Sequence, residues 1–134
     1  EPHIGADYID DIDGYLELGS RIVDLHPITL CQNSLFADAG CSGDIAACPP
    51  KAATIGPRDL KNSKLVSFWN GFSYGDVSWQ RFISRLAAHG PVTPLVPASI
   101  LQILNSELTL SGSVAEDCKI ETGERKTPIQ FPEE

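Results

Sequence analysis

KLVSFWNGFSYGDVSWQRFISRLAAHG, residues 64–90, reads in two ways, and the architecture turns on the choice. Leu65–Trp69 is a short apolar run with β-branched and aromatic residues, the composition of a buried strand. Pro57, however, suits a first helical position, and Leu60, Lys64 and Ser67 then mark one face of a helix running into the same run. The second half is clearer. Trp79, Phe82, Ile83 and Leu86 form an apolar stripe, Asp76 is placed to cap its start, Gly90 to close it, and Pro91 follows, so a core-facing helix is expected.

Between the halves lies NGFSYGD, Asn70–Asp76, in which Gly71, Ser73 and Gly75 spell G-x-S-x-G. A nucleophile elbow needs a strand, a tight turn at serine and a helix, with its acid and histidine later in the chain. His89 is the only later histidine. It stands at the far end of the very helix the serine would start, about 20 Å away at 1.5 Å per residue. The motif therefore reads better as glycine turns leading to a capped helix.

Outward from this stretch the helical period recurs. Tyr8, Ile12, Tyr15, Leu16, Ile22 and Val23 predict a helix from about Asp7 to His26, closed by Pro27, with a break at Gly14 as the alternative. Thr29–Gly56 reads as irregular, with one short helix at about Asn33–Ala39. Pro97–Glu107 carries Ile100, Leu101, Ile103 and Leu104 at helical spacing and is expected in the core. No βαβ alternation is visible. The expectation is a mainly α, small single-domain helical fold over residues 1–134, with a polar tail at 119–134. Its Cys/Pro-rich connections are irregular and two disulfides pin them; the alternative is α+β, with a short sheet near Leu65–Trp69 or Leu108–Val114.

An even set of four cysteines and the absence of Met suggest a processed chain in an oxidising compartment, hence secretion. Cys41 pairing with Cys48, and Cys31 with Cys118, is the expected arrangement of the disulfides. Gaps of nine and six residues do not match a zinc knuckle. In DIDG, Asp11–Gly14, an EF-hand register would leave Ile9 and Ser20 at end positions that need carboxylates. His3, His26 and His89 make no ligand pair, so neither metal nor cofactor is expected.

A net charge of −8 disfavours a nucleic-acid partner, and no run is long and apolar enough for a membrane span. Phe68, Trp69, Phe72, Tyr74 and Trp79 are half of the aromatic residues. Their density makes 68–79 a candidate contact surface, with Trp69, Phe72 and Tyr74 as its binding residues beside a turn. The reading is a secreted, disulfide-stabilised, non-enzymatic binding protein (an effector, toxin-like or host-interaction module) with a protein or cell-surface partner. Alternatives are a serine hydrolase, or one chain of a processed enzyme, using Ser73, and a carrier of an apolar small ligand.

Overall fold

A computed structural model describes residues 2–35, 43–72, 77–119 and 127–132. Five strands fall into two sheets: β1 (Arg21–Asp24) pairs antiparallel with β2 (Lys51–Thr54), and β3 (Val66–Phe72), β4 (Ser106–Ser111) and β5 (Ile129–Gln130) form a parallel sheet in that order. Around them lie α1 (Pro2–Gly5), α2 (Ile12–Leu16), α3 (Pro27–Ser34), α4 (Pro57–Lys61), α5 (Ser78–His89) and α6 (Gly112–Ala115). A 3₁₀ segment, Pro97–Ile103, connects α5 to β4.

The fold is therefore α+β, not mainly α. In 64–90 the strand reading wins: Val66–Phe72 is β3, and the helix from Pro57 ends at Lys61. β3, α5, the 3₁₀ segment and β4 make the parallel crossover that the sequence reading missed, with Val66 opposite Ser106 and Gly71 opposite Ser111. Parallel neighbours need a connection of a dozen or more residues, and residues 73–105 supply it.

The expected N-terminal helix is cut short. Asp11 caps α2 by accepting from the Gly14 amide at 2.9 Å, and Arg21–Asp24 pairs with β2 instead of extending the helix. Ile22 and Val23 lose χ1 freedom in a helix and fit the pleat better. Gly56 lets the two segments meet: a Cβ there would stand 2.1 Å from the Gly19 carbonyl carbon, while the Gly56 amide donates to Ser20 Oγ at 2.9 Å. Ser20 in turn donates its amide to Asp59 Oδ2, and Lys61 pairs with Glu17.

Two apolar clusters hold the molecule. Leu101, Leu108, Leu110, Ala115 and Cys118 pack on the parallel sheet, while Tyr15, Leu16 and Ile100 pack beneath α2. Adjacent residues Ile100 and Leu101 thus serve different clusters from one 3₁₀ turn.

The cysteine expectation is corrected as well. Cys31 is exposed on α3, Cys118 is buried in the sheet cluster, and Cys48 directs its thiol at the Leu30 and Asp44 carbonyls, 3.7 Å away in each case. No two described cysteines stand at disulfide distance, so the Cys31–Cys118 bridge is absent. Cys41 lies outside the described residues. Cys118 takes its place among Leu101, Leu108, Leu110 and Ala115, where burial of a cysteine is common, and an even count did not imply the Cys31–Cys118 pairing.

Leu110 is fully buried at the centre of the sheet cluster. Leu110→Ala should lower unfolding free energy by roughly 2–5 kcal/mol in chemical denaturation. The same change at Leu65, half exposed outside β3, should cost far less.

Candidate active site

In open parallel sheets, ligands bind in the crevice beyond the carboxyl ends of the strands. Here that edge is made by Asn70–Phe72 of β3 and Ser111–Ser113 after β4. Gly71 and Ser111 are register partners, and a Cβ on Gly71 would stand 2.3 Å from Ser111 Oγ. Gly112, at φ +60°, turns the chain from β4 into α6 through a conformation that side chains disfavour. The edge is thus lined by small residues with hydroxyl groups.

Above it sits the first half of α5. Asn70 donates from Nδ2 to Ser84 Oγ at 2.9 Å, tying the end of β3 to a fully buried serine on the helix. One turn earlier is Gln80, whose Oε1 is sealed from solvent without a hydrogen-bond partner. A buried carbonyl left unpaired costs free energy comparable to a lost hydrogen bond, and it marks a place where a donor is accommodated.

The same helix is fastened to the segment after α6. Arg81 grips Asp117 through Nε and Nη2 at 3.0 and 2.9 Å, Arg85 donates to the Asp117 carbonyl, and His89 Nε2 lies 3.0 Å from the Cys118 carbonyl. These residues are four apart, so they share one helix face. Hydrogen bonding to Arg81 holds the Asp117 carboxyl below the usual range, and the pair pushes Arg81 up. His89 is accordingly committed to the far end of α5.

Ser73, Tyr74 and Asp76 lie outside the described residues, and of Phe72 only the backbone, as the last residue of β3, is described. Trp69 is 72% exposed on β3, its Nε1 donating to Ser67 Oγ, which in turn donates to Glu107. The proposed aromatic trio is thus placed at one position only. Trp79 and Phe82, expected in the core, are exposed and in contact, with ring centroids 5.8 Å apart. Ser84, Asn70 and Gln80 were missed. Ser84 stands off the Trp79–Phe82–Ile83–Leu86 stripe, on the face that the structure buries, so no local signal marked its contact with Asn70, 14 residues away.

No protein-family model matches the chain. It is similar to a glucosamine-6-phosphate deaminase of Lachnoclostridium phytofermentans, with 38% identity over 109 residues, 81% of this chain. The chain spans 40% of that relative's length. Wherever a 109-residue match falls on 134 residues, it includes residues 26–109, since 134 − 109 + 1 = 26. Nearly all of the β3–α5–β4 crossover is therefore inside it. Likeness to an enzyme overturns the reading of a secreted, non-enzymatic binding protein, and of the disulfides expected with it the Cys31–Cys118 bridge is absent.

The Arg81–Asp117 pair sets a pH dependence. Asp117 has a depressed folded pKa, so its contribution is present above the unfolded value and is lost as pH falls through the folded one. Thermal melts should show Asp117→Asn less stable than the parent at neutral pH, the gap closing as pH falls below the ordinary aspartate value of about 4.

Proposed function

We propose that this chain forms part of an amino-sugar-phosphate deaminase, with the β3–β4 carboxyl edge facing the sugar. The 38% identity across the crossover carries the reading. The chemistry of the edge agrees with it. An amino sugar is rich in hydroxyl groups, and Ser111 and Ser113 offer hydroxyl acceptors and donors of matching kind. Small residues at Gly71 and Gly112 let a ligand approach the backbone closely. Deamination breaks a carbon–nitrogen bond and releases the amine as ammonia. On this reading the part played by the described residues is to seat the sugar, while Asn70 and Ser84 hold the strand end against the helix.

Titration with glucosamine 6-phosphate, followed by backbone amide NMR, tests this. Shifts should concentrate at Asn70, Gly71, Ser111 and Gly112, with ammonia release as the companion assay. Absence of both binding and release, or shifts only at the β1–β2 ribbon, would overturn the assignment. Asn70→Leu should weaken the effect and leave buried Ser84 unpaired, lowering stability by about 1–3 kcal/mol.

A further inference from the structure

Among the described residues β3 has a strand on one side only, and that strand is β4. Val66 shows which way its backbone is turned, for its amide donates to the Asn105 carbonyl at 2.9 Å. Successive residues of a strand direct their N–H and C=O groups to opposite sides, so Val66, Phe68 and Asn70 serve β4 while Ser67, Trp69 and Gly71 turn theirs outward. These same three residues are exposed, Trp69 at 72%.

The other strands are guarded against further pairing, and this one is not. Edges are protected by shortness, charge or proline. β5 has two residues, with Pro128 just before it and Pro132 shortly after. β1 and β2 carry Arg21, Asp24 and Lys51. β3 runs for seven residues, VSFWNGF, without a charge or a proline, and holds an indole in water at its middle. A long uncharged edge is a template for one more strand.

We propose that a second copy of this chain supplies that strand, β3 pairing antiparallel with the partner's β3 about a two-fold axis at Trp69. The strand is self-complementary in this register. Ser67 lies opposite the partner's Gly71, Trp69 opposite the partner's Trp69, and Gly71 opposite the partner's Ser67. Every outward residue thus meets an outward residue, and each pair exchanges both backbone bonds. A centre one residue away would leave one of the three opposite a position beyond the partner's strand. Paired side chains share a face, so the two indoles stand side by side with Cα atoms about 5.5 Å apart, and only serine and glycine flank them. An axis of this kind would set any charge on the strand against its own copy, and β3 has none. Antiparallel pairing about the axis also closes at two copies, whereas adding copies head to tail would continue without end. The pairing uses the flank of β3 and does not rest on the deaminase reading, which ammonia release tests separately.

Sedimentation of the whole chain over a concentration series, with amide hydrogen exchange followed by NMR, tests this. The parent should pass from one chain mass to two as concentration rises, and exchange at Ser67, Trp69 and Gly71 should slow several-fold over the same range. Phe68 and Asn70, whose amides already serve β4, should change little. Trp69→Lys sets like charges directly opposite each other, so it should stay at one chain mass throughout while keeping the melting temperature of the dilute parent. A parent that never pairs, pairing that slows exchange elsewhere than at the three outward amides, pairing that Trp69→Lys leaves intact, or outward amides already protected in the dilute parent would each overturn the proposal.

Discussion

Parallel pairing of β3 with β4 is the constraint from which the rest of the arrangement follows. Two parallel strands cannot be joined by a tight turn, so the chain must leave at Phe72, cross one face and return at Ser106 in register. α5 accomplishes most of the return, and the Pro97–Ile103 segment completes it. The bond between Asn70 and Ser84 and the bidentate grip of Arg81 on Asp117 fix α5 at both ends of this path. Since the strand ends point the same way, their polar residues gather at one edge, and that gathering is what creates a site.

The 3₁₀ segment has a second consequence. Ile100 faces the α2 cluster, which Leu60 of α4 also joins, and Leu101 the sheet cluster, so the two cores are coupled through neighbouring residues. Ser99, fully buried, adds two bonds to Thr93, accepting from its amide and donating to its carbonyl, both at 2.9 Å. Gln102 reaches the Gly90 carbonyl just beyond α5. Polar side chains thus satisfy backbone that a tight, irregular connection would otherwise leave unpaired.

How much of this was legible depends on how many residues carried each signal. β3 could be read from Val66, Phe68 and Trp69, and α5 from four apolar positions at helical spacing. β1 could not: Ile22 stands seven residues from Tyr15, which fits a helical face as well as it fits anything, and four strand residues are too few to establish alternation. Parallel pairing was illegible because it joins residues 40 apart, Val66 with Ser106, through no local pattern. The site suffered similarly. Its key polar contact joins a strand end to a helix interior 14 residues on, with no local pattern, and of the expected binding residues Trp69, Phe72 and Tyr74 only Trp69 is described with its side chain.

The G-x-S-x-G pattern shows why a motif needs its geometry. Among the described residues a strand, β3, precedes a helix, α5, in the order an elbow requires, but residues 73–76 between them lie outside the described residues, and that order alone does not identify chemistry. Any β–α–β crossover sets a strand before a helix N-terminus, whatever residue lies between. What distinguishes a nucleophile is a base within reach. Here the only later histidine sits 12 helical residues on, about 18 Å along the axis, and is held at the Cys118 carbonyl. The crossover itself is the more informative feature, because it determines which polar groups gather at the carboxyl edge of the strands and which apolar ones face outward.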